Sequence, residues 1–443
     1  MTGFWMKRGL LGWLVAIWAC LQICEVHGNA VRNDVLFEDW FENRTLRMDF
    51  VLTGDSVNQQ IGLLECSSLD GWAGRHHHLD SLFVKGAGQL LVKDAETGCL
   101  IYATSFSTLF QEWQATEEAR YCCRSFDLCL MAPMPRRKVL VQVSLQDSRQ
   151  RTVGFWETPV DPADILIRRK KGPAHRSCRP LLQSGGPAEC VDIAIVGDGY
   201  RHDQTEAFYQ DAARMCERFF SYRPYSDFKN RFNVTAVTLF SQDEGASEPS
   251  KGVWKETALG SSFDTFYSDR YLTTLRLRDV HDALVGIPFE EIIILVNTDK
   301  YGGGGIYGTY MLTSSSHPRS LAVCVHELGH SFAGLGDEYD YSSGGDDLYF
   351  PDVEPWEKNI TTCCDFASKW ADMIPRGTPV PTPPFEGDSI QRNTRIGVYE
   401  GAGYMSHGVY RPALDCLMRI TGAPAFCPVC QRIIRQRIEY LTE

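Results

Sequence analysis

The period of the apolar positions divides the chain. Up to about residue 167 the dominant signal is alternation with a period of two, as in Val139, Val141, Val143 and Leu145. The apolar run Leu90, Leu91, Val92 ends in a turn over 94–98. Both are strand signatures, so residues 31–167 are expected to form a β-rich N-terminal domain. Residues 168–187 are basic and contain proline and glycine, which reads as a linker tethered by Cys178 and Cys190. From 188 onward the pattern changes. Short buried strands are expected at 191–196, 232–240 and 291–296, alternating with helical stretches at 204–222 and 264–284. The glycine run 302–305 resembles a flexible entry to an extended edge segment, 306–312, and the proline-rich stretch 375–384 is expected to be a surface loop. The chain is therefore expected to be of the α+β or α/β class, with a β-rich accessory domain and a second domain over 188–443.

Composition narrows the class. Lys7 and Arg8 precede an apolar run from residue 10 to 24 that ends in small residues, the pattern of a secretory signal peptide over 1–30. A signal anchor is the rival reading, but about 15 apolar residues is short for a bilayer span of about 20. A secreted, extracellular protein with no stable membrane insertion after leader removal is expected. The triplets at Asn43, Asn233 and Asn359 match the N-glycosylation acceptor pattern and agree with export. Sixteen cysteines, two of them in the leader, suit a partly disulfide-bonded protein, and Cys427-Pro-Val-Cys430 reads better as a disulfide than as half of a zinc site. With 44 basic and 56 acidic residues the net charge is −12, which disfavours nucleic acid as a partner.

The chemistry resides in His326-Glu327-Leu328-Gly329-His330. Two imidazoles four residues apart lie one helical turn apart on one face and can reach one tetrahedral zinc ion. At 100° per residue, Leu321, Val325, Leu328 and Phe332 cluster within roughly 60°, so the histidines fall opposite the apolar stripe and toward a cleft. Glu327, between them, is placed to act as general base toward a zinc-activated water. A catalytic zinc needs a third protein ligand. Glycine at 334 or 336 would stop the helix, and the chain would then return Asp337 or Glu338 to the metal.

The string HELGHSFAGLGDEY, with VDIAIVGDGY at 191–200, NTDKYGGGGIYG at 297–308 and YRPALDCLMR at 410–419, resembles the IgA-peptidase family of zinc metallopeptidases. The likeness covers most of residues 190–430, and the β-rich segment resembles the N-terminal domain that accompanies this peptidase domain. The resemblance implies a metzincin-like zincin fold, with Met418 supplying the methionine turn beneath the metal. The segment from Gly334 to Asp337 is also similar to the Gly-Leu-x-Asp turn of snapalysin-type metzincins, which implies Asp337 rather than Glu338 as the third ligand. One departure from the usual metzincin spacing is that Ala333 takes the place of a glycine and the aspartate falls one residue late.

Weaker signals remain. The acidic group Asp337, Glu338, Asp340, Asp346 and Asp347 reads as a solvated loop, and His76, His77 and His78 as exposed neighbours. Tyr410 or His407 is a candidate for stabilising the oxyanion. The expected function is a secreted zinc endopeptidase acting on protein or peptide substrates, with metal ligands His326, His330 and Asp337, catalytic Glu327 and Zn2+ as cofactor. The rivals are a non-catalytic extracellular binding protein with a vestigial metal site and a metal hydrolase of a non-peptide bond. Substrate choice is not written in these motifs, and no special preference for IgA is expected.

Overall fold

The computed structural model describes residues 35–173, 176–341 and 348–443. The expected leader, 1–30, lies outside them, as do Asp346 and Asp347. Residues from Val35 to Glu443 form one compact unit.

After a short helix, α1 (Phe37–Trp40), the N-terminal part is built from β1 (Phe41–Gly54), β2 (Gln59–Asp70), β3 (Gly88–Asp94), β4 (Leu100–Phe106), helix α2 (Leu109–Gln114), β5 (Arg124–Pro135), β6 (Val139–Gln146) and β7 (Thr152–Val160). They form two four-stranded sheets, β5-β1-β2-β8 and β4-β3-β6-β7, where β8 is Arg168–Arg169. The alternation at 139–145 has its expected cause: Val139, Val141, Val143 and Leu145 are wholly buried, and the residues between them are half-buried.

The C-terminal part contains β9 (Ser177–Leu182), β10 (Val191–Asp198), α3 (Thr205–Phe219), β11 (Phe232–Thr238), α4 (Leu277–Ala283), β12 (Glu291–Val296), β13 (Gly303–Ile306) and β14 (Tyr310–Ser314). It continues with α5 (Ser320–Ala333), α6 (Ser389–Thr394), β15 (Tyr399–Ala402), β16 (Met405–Arg411) and α7 (Pro428–Thr442). Six strands make one sheet in the order β13-β14-β12-β10-β11-β9, parallel in the middle and antiparallel at both edges. Central β10 is buried throughout because both its faces are covered; apart from Asp192 and Asp198 near its two ends it is built of apolar and small residues. Val191, Ile193 and Ile195 join a core with α3, α5 and α7. Ala194 and Val196 join the apolar cluster that also fills the N-terminal sheets. A charged cluster spans the contact: Arg47 on β1, fully buried, donates to buried Asp49 at 2.8 Å and to the exposed Asp282 on α4 at 2.6 Å.

Three local expectations fail for physical reasons. The expected linker contains two strands among its described residues: β8 pairs with β2, and β9 is the edge strand of the six-stranded sheet, where Pro180 and the arginines are tolerated because an edge has a solvent-facing side. The stretch 264–284 is helical only over Leu277–Ala283 and in a single 3₁₀ turn at Thr265–Tyr267. Asp264, Phe266 and Tyr267 adopt left-handed backbone angles, and Thr273 exchanges both backbone hydrogen bonds with Ser262, which withdraws these groups from any helix ladder. The glycine run is itself edge strand β13 rather than a flexible entry to one.

Among the described residues no helix is long and apolar enough to cross a membrane. Asn233 and Asn359, two of the three expected glycan acceptors, are buried, and their side-chain amides are bonded within the fold. Asn43 is exposed.

Candidate metal centre

Helix α5 carries the histidine pair across the face of the hairpin β13–β14. Its central residues are almost entirely buried, so the apolar stripe is wider than the sequence indicates: Val323 and Cys324 are buried as well as Val325, Leu328 and Phe332, while Leu321 is only half-buried. Two glycines allow the close approach. A Cβ at Gly303 would lie 2.6 Å from Val323 Cγ1, and one at Gly305 would lie 2.5 Å from the backbone oxygen of Glu327. The helix ends at Gly334, whose φ of 63° and ψ of 36° are left-handed, the usual glycine stop.

The chain beyond Gly334 returns under the histidines. Leu335 O accepts from His330 Nδ1 at 2.6 Å, and Leu417 O accepts from His326 Nδ1 at 2.9 Å. With both Nδ1 atoms donating, both Nε2 atoms are directed into the same space. They lie 3.1 Å apart, and each is 3.2 Å from Asp337 Oδ1. Asp337 is nine-tenths buried, and Tyr404 Oη donates to its other oxygen, Oδ2, at 2.5 Å. Glu338 points elsewhere, into a pocket of cysteines.

The donor set fits a divalent metal. Two imidazole nitrogens and a carboxylate oxygen converge, all buried or half-buried, with no Lys or Arg beside them in an ion pair. Three ligand atoms at such separations suit a shared cation, and two nitrogens with one carboxylate oxygen are donors that zinc accepts. Without a metal between them, the histidines and Asp337 hold one another in charged form. Burial lowers the His330 imidazole, but the Asp337 charge and hydrogen bond outweigh it and raise it to about 9. Burial raises Asp337, yet the adjoining histidines hold it far below the usual carboxylate range. Glu327 is pushed up by burial, only partly opposed by the histidines.

Beneath the cluster, Met418 is fully buried against Gly329; a Cβ at that glycine would lie 2.6 Å from Met418 Sδ. Glu338 N donates to Met418 O at 2.8 Å, fastening the loop to this turn. Asn359, wholly buried, clamps the same loop: its Oδ1 accepts from Gly336 N at 2.7 Å, and its Nδ2 donates to Gly336 O at 2.9 Å and to Glu338 Oε1 at 3.0 Å.

The cluster forms the floor of a cleft of about 970 Å³. Part of its wall comes from the N-terminal domain, where Glu112 on α2 accepts a hydrogen bond from Tyr271 Oη. Ser107 N donates to Tyr307 O at 2.8 Å, and Thr309 Oγ1 donates to Ser107 O at 2.9 Å, pinning that domain to the tip of the hairpin. Tyr339, Tyr341 and Tyr404 also line the cleft. Sequence reasoning missed Glu112, Tyr271, Tyr404 and Asn359. The candidates Tyr410 and His407 do not line the cleft: Tyr410 pairs through its backbone with Thr361, and His407 is exposed beside Glu400. The 76–78 histidines are not a metal group, since His76 stacks on Phe37 and His78 on Tyr440.

All cysteines among the described residues are free thiols, so neither the disulfide bonding expected of Cys427 and Cys430 nor that expected of the protein generally is seen among them. No curated protein matches the chain. The family model described as IgA Peptidase M64 matches residues 180–395 and 388–438, and that described as Peptidase M64 N-terminus matches residues 36–157. These matches cover the six-stranded sheet, the histidine helix, the methionine turn and most of the N-terminal sheets; the chain belongs to the IgA peptidase M64 family.

Proposed function

We propose that the protein is a secreted zinc endopeptidase in which His326, His330 and Asp337 hold the metal and Glu327 is the general base. The observation that carries the reading is the convergence of His326 Nε2, His330 Nε2 and Asp337 Oδ1 on the floor of a cleft that Glu327 also lines. When bound there, zinc would acidify water and polarise a peptide carbonyl. The protein's own groups account for the rest. Glu327, its carboxyl raised by burial, takes the proton of the attacking water and returns it to the departing amine. Tyr404 and Asn359 keep Asp337 in place, and the Nδ1 bonds to Leu417 and Leu335 keep the imidazoles turned inward.

Substrate reading rests on the cleft's upper edge. Strand β13 ends the sheet, and its outer side is engaged at Gly303 by a bridge to Tyr271, which leaves the half-buried Gly305 as the position for an extended backbone to pair with. Backbone pairing selects conformation more than side chain, so extended or unfolded extracellular proteins are the proposed substrates, without special preference for IgA. The test is a panel of secreted proteins, IgA included, offered native and denatured, with and without chelator. Chelator-sensitive cleavage that favours denatured chains supports the reading; cleavage confined to native IgA refutes the substrate class, and undiminished cleavage by metal-stripped protein refutes the metal role.

A further inference from the structure

Directly behind the histidine cluster lies a second convergence. Glu338, Cys416, Cys427 and Cys430 are all fully buried, and their ligand atoms lie within 4.8 Å of one another. We propose that these four side chains form a second, structural metal site that takes one zinc-class cation.

The sulfur spacing favours an ion over a disulfide. Cys416 Sγ and Cys430 Sγ are 3.8 Å apart, whereas a disulfide needs about 2.05 Å. Two thiolates each about 2.3 Å from one tetrahedral ion lie about 3.8 Å apart. Three thiols in one pocket also cannot all be joined in disulfides among themselves. Glu338 gives independent support. Its Oε1 accepts from Asn359 Nδ2 and from Cys430 Sγ, both at 3.0 Å, but its buried Oε2 has no hydrogen-bond partner. Arg411 is near enough to act on it electrostatically, yet that guanidinium donates to the carbonyls of Glu400 and Gly401. A fully buried carboxyl oxygen without a donor is open to a cation, and the three surrounding sulfurs point to a soft one; calcium and magnesium prefer all-oxygen shells. Binding would release the thiol protons.

The placement explains a structural use. Glu338 directly follows Asp337. Cys416 directly precedes Leu417, whose carbonyl holds His326, and Cys427 and Cys430 open helix α7. One ion would fasten the ligand loop to the methionine turn and the start of the C-terminal helix. With four protein ligands the site would be closed and non-catalytic.

The test uses full-length protein and elemental analysis after exposure to zinc alone, followed by removal of loosely bound metal. The wild type should retain about two zinc ions per chain and His326→Ala/His330→Ala about one, since only the catalytic set is lost. Cys427→Ser/Cys430→Ser should lose the second ion. Because those serine variants can fail to fold, cobalt(II) loaded into the double-histidine variant supplies another readout: thiolate-to-cobalt charge-transfer absorption with tetrahedral d–d bands. A double-histidine variant that holds no metal, a cobalt spectrum without thiolate bands, or peptide mapping that finds a disulfide among Cys416, Cys427 and Cys430 overturns the proposal. None of these outcomes bears on whether the histidine centre is catalytic.

Discussion

Replacing Asn359 with alanine should loosen the metal loop without touching a ligand. The amide makes three hydrogen bonds, at 2.7, 2.9 and 3.0 Å, two of them to the peptide groups of Gly336 immediately before Asp337. An ordinary hydrogen bond contributes about 1 kcal/mol net, but a buried partner left unsatisfied costs about 1–3 kcal/mol. Gly336 is buried and Glu338 wholly so, which places the change at the upper side of the simple sum, about 3–5 kcal/mol with the small cavity included. That is a large part of a typical stability of about 5–15 kcal/mol, so the variant should fold but unfold at lower urea. Loss of a group that orients a ligand typically weakens metal affinity by about 10–100-fold. Urea unfolding and competitive zinc titration measure the two effects. Asn359→Asp keeps the volume but removes the donor and sets a carboxyl against Glu338, so it should be no milder than alanine. Thr361→Val, which abolishes the glycan acceptor triplet while keeping the amide, should leave zinc affinity near wild type. Unchanged urea midpoint and zinc affinity in Asn359→Ala would show that the clamp reasoning is wrong.

Two other perturbations test separate parts of the account. Gly305→Ala brings a Cβ to 2.5 Å from the backbone oxygen of Glu327 and 3.1 Å from His330 Cβ, so strand or helix must shift; kcat/KM should fall about 100-fold with metal content retained, and near-normal kinetics would refute the contact. Burial raises the Glu291 carboxyl from 4.5 to about 8, with Ser331 donating to it, so it favours folding at low pH and loses that contribution as pH rises from 4.5 through 8. Glu291→Gln should therefore gain stability relative to wild type across that window, by up to about 1.4 kcal/mol per pH unit, and a urea-unfolding difference that stays constant from pH 5 to pH 8 rules this out.

How much of this was legible depended on distance along the chain. The histidine pair and Glu327 could be read because a helix makes residues four apart neighbours, and Gly334 was readable as a stop because a left-handed turn there suits glycine. The apolar run at 191–196 announced a strand covered on both faces. Asn359 was legible only as a glycan acceptor, because the same triplet has opposite meanings on a surface and in a core. Gly303 and Gly305 read as flexibility, whereas the structure uses their missing side chains to bring an edge strand against the helix. Glu112 and Tyr271 meet across a domain contact from positions 159 residues apart, and no local pattern carries that information. Cys427 and Cys430 suggested a disulfide because their spacing alone does not reveal Cys416 and the Glu338 carboxyl that lie beside them.

The central claim is that Glu327 moves the proton while His326, His330 and Asp337 hold the metal. Measuring hydrolysis of a denatured secreted protein and catalytic-metal content together, for wild type and Glu327→Gln, tests it most directly. The variant should bind the metal as wild type does while turnover falls by at least about 100-fold, the range expected for losing a general base. Near-normal turnover by the metal-loaded variant, or equal turnover by wild-type protein stripped of metal, would contradict it.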